Sequence, residues 1–279
     1  MRYSTFVCGA FLAAGIAGHA EAAISTFWAM SAGSPTLAEY DFSGNLLDTI
    51  TTANGLQGGN GRGVVQVGNI LYYTTADTNG VYAYNFVSNT NLGTVFTVPG
   101  STGLATMAYD GTNFWLGDYS GTNNVYHYSP TGTLLGTVAL GSCTSYCDGL
   151  EYANGTLISN RYDGGLGGAN TYDVYALTGG APTHSALIVG HDASGNTGIA
   201  YDGTDYYVSN IFSSTIGVYD ASGTWLHDIT LAGPAHEFED LSVNYAARID
   251  TATPEPASMF LLGSGVVGLG LLRRRRRSR

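Results

Sequence analysis

Four carboxylates in two short segments are the residues best placed to do chemistry. Asp148 and Glu151 lie in Asp148-Gly-Leu-Glu151, and Glu239 and Asp240 in Glu239-Asp-Leu-Ser242. With the two segments superimposed, Asp148 falls opposite Glu239, with Glu151 and Asp240 flanking them. Hard oxygen donors of this kind suit Ca²⁺. Strand alternation sends neighbouring side chains to opposite faces, so about half of the four are expected to share one. A second set, Ser31, Thr75, Asp118, Asn160 and Asn210, recurs at equivalent points along the chain. Such short polar side chains either ring a binding mouth or cap the turns that follow them. The chain has no Gly-x-Ser-x-Gly, His-Glu-x-x-His or Walker sequence, so no catalytic residue is assigned. The histidines His127, His184, His191, His227 and His236 lack metal-ligand spacing. Cys143 and Cys147 are expected to form a small disulfide in an oxidising compartment.

The elements that hold these groups repeat. Met107-Ala-Tyr-Asp-Gly-Thr-Asn-Phe-Trp-Leu-Gly-Asp118 returns as Leu150-Glu-Tyr-Ala-Asn-Gly-Thr-Leu-Ile-Ser-Asn160 and as Ile199-Ala-Tyr-Asp-Gly-Thr-Asp-Tyr-Tyr-Val-Ser-Asn210. A weaker copy spans Val65 to Thr75. The turn glycines Gly68, Gly111, Gly155 and Gly203 are spaced 43, 44 and 48 residues apart. Each copy reads as four short strands, and four strands per ~40 to 50 residues is the pattern of a β-propeller blade. Four full copies leave two fragments: Glu239 to Val243, an inner strand with nothing after it, and Ser25 to Ile50, three strands with no inner strand before them. Joined, they complete a fifth blade. The expected fold is all-β, a five-bladed propeller over residues 23–250 closed by strands from both chain ends, because closure removes exposed sheet edges. An open β-sandwich or a six-bladed ring with one degenerate blade is the competing arrangement.

Charge narrows the partners. The chain contains no Lys, and residues 23–253 hold three Arg against 19 acids. A body this acidic is repelled by phosphate backbones, so no nucleic-acid partner is expected. At 44% apolar and 11% charged residues, with 20 Tyr, the chain can build a packed β core.

The two ends are of another kind. Residues 1–22 run from Met1-Arg2 through an apolar stretch to Ala20-Glu21-Ala22, the pattern of a signal peptide cut between Ala22 and Ala23. Residues 251–256 form a linker ending in Pro254-Glu255-Pro256, followed by sixteen uncharged residues, Ala257 to Leu272, and a basic tail, 273–279. A helix of that length spans roughly 24 Å, short enough to need snorkelling Arg to cross a bilayer. Arg273, Arg274, Arg275, Arg276 and Arg277 would stay cytoplasmic and stop transfer.

The tripeptide, short Gly- and Leu-rich segment and terminal Arg run together resemble the PEP-CTERM sorting signal of exported bacterial proteins. The resemblance implies recognition by an exosortase-type membrane protease at Pro254, Glu255 and Pro256. It implies transient inner-membrane anchoring through a transmembrane helix, then delivery to the cell surface, outer membrane or extracellular matrix. It also implies a Gram-negative, exopolysaccharide-making host. The repeats resemble, more loosely, NHL, YVTN and SMP-30-like propellers. The expected function is therefore that of an exported surface or matrix propeller, structural or bound to exopolysaccharide. The alternative is a Ca²⁺-dependent hydrolase or lactonase of SMP-30-like type: the resemblance implies a divalent metal held by carboxylate and amide oxygens such as those in the Ser31, Thr75, Asp118, Asn160 and Asn210 set, whereas the residues themselves favour Asp148, Glu239, Asp240 and Glu151 as the metal ligands.

Overall fold

A computed structural model of the chain describes residues 24–119, 121–141, 147–160, 171–177, 183–192, 195–233 and 237–248. These form twenty strands in five four-stranded antiparallel sheets. Blade I is β4 (Gly61–Val67), β5 (Ile70–Thr75), β6 (Gly80–Asn85) and β7 (Thr90–Thr97). Blade II is β8 (Leu104–Tyr109), β9 (Phe114–Asp118), β10 (Asn124–Tyr128) and β11 (Leu134–Ala139). Blade III is β12 (Leu150–Ala153), β13 (Thr156–Asn160), β14 (Thr171–Ala176) and β15 (Thr183–Val189). Blade IV is β16 (Asn196–Tyr201), β17 (Asp205–Asn210), β18 (Thr215–Asp220) and β19 (Trp225–Thr230). Blade V takes β1 (Thr26–Ser31), β2 (Thr36–Asp41) and β3 (Leu46–Thr51) from one end of the chain and β20 (Phe238–Val243) from the other. The expected five-bladed ring, closed by its own ends, is what the chain forms.

Local sequence accounts for the blades. Each inner hairpin turns on a glycine, and in blade III Asn154 and Gly155 both have positive φ, 51° and 80°, as a tight hairpin turn requires. Burial falls outward along each sheet: β16 and β20 are buried at every residue, whereas most of β3 and β19 is exposed. The inner strands β4, β8, β12, β16 and β20 each touch the next around the ring, and β20 returns to β4.

The apolar core is divided into five wedges, one between each pair of neighbouring sheets. Trp28 and Met30 of blade V pack against Leu71 and Tyr73 of blade I, and Ile158 and Tyr172 of blade III against Ile199 and Tyr206 of blade IV. The centre of the ring is polar and backbone-lined instead. A Cβ on Gly198 would lie 2.3 Å from the Asp240 Cα, and one on Gly149 would lie 1.9 Å from the Thr197 carbonyl oxygen. Glycine there lets five inner strands close around a narrow axis.

The first and last strands, β1 and β20, start and finish on the same side of the ring. β1 pairs antiparallel with β20, Phe27 opposite Val243, so the chain enters blade V where β20 finishes. We call that side the base, and the side where the inner strands begin the upper face.

Candidate functional site

The inner strands deliver charged side chains to the axis in three layers. At the upper face, the pairing of inner and second strands is interrupted at one equivalent point in four blades: between Gly61 and Val64, Leu104 and Thr106, Asn196 and Ile199, and opposite Met30 and Ser31. A β-bulge re-aims the residue it leaves unpaired. Arg62 and Glu239 occupy two of these bulges. Arg62 Nη1 lies 2.6 Å from Glu239 Oε1 and 3.4 Å from Asp148 Oδ1, which comes from the segment entering β12. Arg62 Nη2 donates to the Tyr119 hydroxyl at 2.9 Å, and the guanidinium carbon sits 4.4 Å from the centre of the Tyr119 ring. The side chains of Arg62, Asp148 and Glu239 are 8%, 1% and 2% exposed.

Burial pushes the Asp148 and Glu239 carboxyls above their usual range. Repulsion from Asp148 raises Glu239 further, and the Arg62 guanidinium offsets part of both shifts. One oxygen of each, Asp148 Oδ2 and Glu239 Oε2, is buried without a hydrogen-bond partner. So are Ser31 Oγ and Asn196 Nδ2, which belong to the same end of the inner and second strands.

Asp240 forms the middle layer. Its Oδ2 accepts from the Val64 amide at 3.1 Å and Thr106 Oγ1 at 3.3 Å, and its Oδ1 from the Leu241 amide at 3.0 Å. Desolvation drives its carboxyl well above the usual range. Asp240 thus ties blades V, I and II together.

The base layer is built on Glu151. Its Oε1 accepts from the Tyr245 hydroxyl at 2.6 Å, Arg248 Nη1 at 2.9 Å and the Tyr152 amide at 2.7 Å, and its Oε2 from the Tyr201 amide at 3.0 Å. Tyr245 belongs to a single 3-10 turn, Tyr245–Ala247, that follows β20 across the base. Arg248 also donates to the Tyr152 and Tyr201 carbonyls, and its guanidinium lies 4.4 Å from the Tyr245 ring centre. The segment after β20 is therefore clasped to blades III and IV.

The four carboxylates singled out from the sequence are thus divided: Asp148 and Glu239 meet at the upper face, Asp240 lies between blades, and Glu151 sits at the base. Pairing also corrects their alignment. Leu150 stands opposite Ser159, and Asp240 opposite Met30, so Asp240 is the counterpart of Leu150 and Glu239 that of Gly149. Asp148 and Glu239 meet because a bulge turns one of them inward, not because they are equivalent. Among the described residues no group of three or more His, Cys, Asp or Glu side chains is arranged to hold a metal ion. Where Asp148 and Glu239 approach, the cation between them is the Arg62 guanidinium.

The polar set at the ends of the second strands is buried in all five blades, at 5% exposure or less. Asn160 Oδ1 accepts from the Asp148 and Gly149 amides, and Asn210 Oδ1 from the Phe212 amide. Asp118 accepts from Ser101, Thr122 and Tyr126, and Thr75 shares a hydrogen bond with Thr78. Four of the five cap their own blade's connections, while Ser31 Oγ is partnerless. His127 stacks on Trp115 at 3.9 Å, with Nε2 3.0 Å from Asp110, and so belongs to the packing of blade II. Cys147 is disulfide-bonded. Cys143, its expected partner, lies outside the described residues, as do residues 1–23, His236 and residues 249–279, which hold Ala22, Ala23, the Pro-Glu-Pro sequence and the Arg run.

Arg62, Tyr119, Tyr245 and Arg248 carry the site's geometry without having been marked by sequence reasoning. A signal existed: in a body with no Lys and three Arg, Gly61-Arg62-Gly63 places a cation inside a strand.

Comparison with known proteins bears on the tail and on the fold. Residues 252–277 match the model of the PEP-CTERM protein-sorting motif. The chain thus carries the motif of exported proteins that are anchored in the membrane before an exosortase processes them. None of the curated proteins matches the chain. Among solved structures, the glutaminyl cyclase of Myxococcus xanthus superposes with a TM-score of 0.50 at 16% identity, over 61% of this chain and 70% of that one. At that identity the likeness is one of fold, and 1107 solved chains match, so the fold is too widely shared to select an activity.

Proposed function

We propose that the protein is displayed at the cell surface or in the extracellular matrix, where its propeller serves as a structural or exopolysaccharide-associated binding module. The observation that carries this reading is the sorting motif at residues 252–277. It follows a ring that is complete between Thr26 and Val243 and clasped as far as Arg248. Cleavage between Ala22 and Ala23 and near Pro254 would remove both addresses and leave every blade whole. A body with three Arg and 19 acids, whose two described Arg are both held by buried carboxylates, would remain hydrated and unattached to anionic surfaces.

The test is the intact mass of the protein recovered from membranes, cell surface and medium of its native host. A surface or medium form starting at Ala23 and ending near Pro254 is expected. A surface form that still ends at Arg279 would refute processing. Retention of host exopolysaccharide by the processed form tests the binding role, and absence of retention would refute it.

A further inference from the structure

We propose that the upper mouth of the ring is a carbohydrate site for neutral or amino sugars, with the Arg62–Asp148–Glu239 cluster as its floor and Tyr119 and Phe212 at its rim. The inference rests on the exopolysaccharide reading above and names the surface and the sugar chemistry it would use.

Three independent features converge on this face. The first is orientation. β1 begins at the base, and there β20 ends and the Tyr245–Arg248 segment is clasped. A body tethered through either end therefore presents its upper face away from the tether.

The second is unmet hydrogen-bonding capacity. Asp148 Oδ2, Glu239 Oε2, Ser31 Oγ and Asn196 Nδ2 all lie at this end of the strands, each buried and partnerless, in residues at most 5% exposed. Buried polar groups in native proteins are almost always satisfied, so a concentration of exceptions at one mouth asks for a ligand. The set is mixed, acceptors beside an amide donor. Sugar hydroxyls donate and accept at once, and a protonated amino group supplies three donors to carboxylate oxygens.

The third is the rim. Phe212, just after β17, is 64% exposed and is the one exposed Phe among the described residues. Tyr119, just after β9, lies over Arg62 with its hydroxyl on Nη2. Aromatic faces at the edge of a polar floor supply an apolar surface for the C–H face of a sugar ring. For a hydroxyl or ammonium group to reach the floor, Tyr119 must swing off the guanidinium.

Charge sets the selectivity. At pH 8 the two carboxylates offset the one guanidinium, and the surrounding body carries three Arg against 19 acids, so uronic acids are repelled while neutral and cationic sugars are admitted.

The experiment measures binding of three soluble oligosaccharides to the full chain in detergent by calorimetry: a glucosamine oligomer, a glucose oligomer and a galacturonate oligomer. Wild type, Tyr119→Ala and Phe212→Ala are compared, Phe212 being exposed enough to change without disturbing the fold. We expect the glucosamine or glucose oligomer to bind at least tenfold more tightly than galacturonate, with each variant weakening it fivefold or more. Equal or tighter binding of galacturonate, binding unmoved by both variants, or no binding of any oligomer would overturn the proposal. Retention of native host exopolysaccharide, measured in parallel, separates the two ideas. If wild type and both variants retain the polymer equally, the upper-face site falls and the binding role stands. If wild type retains none, both fall.

Discussion

Replacing Arg62 with Met should expose the electrostatics that hold the upper face. The substitution keeps an unbranched side chain of similar length and removes the guanidinium from between two buried carboxylates, at 2.6 and 3.4 Å. Breaking a buried ion pair from one side costs about 3 to 5 kcal/mol, because the remaining charge has neither water nor partner. At roughly 2 to 4 °C per kcal/mol for a ring of this size, the melting temperature should fall by about 10 °C at pH 8. The loss should depend on pH in a definite direction. Folding raises Asp148 from 3.8 to about 6 and Glu239 from 4.5 to about 8, with burial as the largest cause of each. The native state therefore holds more protons than the unfolded chain across that window, and its stability is greatest on the acid side and declines as pH rises. Without Arg62, which lowers both values, the decline should steepen. Urea unfolding followed by aromatic fluorescence at pH 5 and pH 8 reads both effects. The cost of the substitution should shrink to about 1 kcal/mol at pH 5, where both carboxyls are neutral in the native state. An equal cost at the two pH values, or a wild type more stable at pH 8 than at pH 5, would refute the reasoning.

Other perturbations probe other layers. Arg248→Ala should destabilise the ring by about 3 kcal/mol by stranding the buried Glu151, and Tyr245→Phe by about 1.5 kcal/mol, as thermal unfolding would show. A chain ending at Val243 should match the Arg248 variant or be worse, whereas one ending at Thr253 should melt with wild type. Gly198→Ala should cost about 3 kcal/mol or prevent folding, since its Cβ would meet the Asp240 backbone at 2.3 Å; circular dichroism and yield of soluble protein would show it. The mature protein should contain no free thiol by alkylation and mass measurement, and reduction should cost about 2 kcal/mol if Cys143 closes the short loop to Cys147.

The sequence alone determined the blades, their number and the closing role of the chain ends, because a β-hairpin is a local code. Asn154-Gly155 or Asp110-Gly111 between alternating segments fixes a turn, and its recurrence fixes the period. Three unaccompanied strands near one end and a lone inner strand, Glu239 to Val243, near the other leave one economical way to avoid open edges. The sorting motif was legible for the same reason, its three parts being contiguous.

Only the tertiary structure decided which side chains meet on the axis. A bulge on the β20 edge of blade V turns Glu239 inward, so an alignment that treated it as the counterpart of Asp148 was one step out of register. Arg62 reaches Asp148 across 86 positions of sequence, and Arg248 reaches Glu151 across 97. Neither pairing follows from neighbouring residues. Both depend on how tightly five inner strands close, which Gly149 and Gly198 permit by giving up their side chains. Partners across a ring are chosen by closure geometry, and a hairpin carries no record of it.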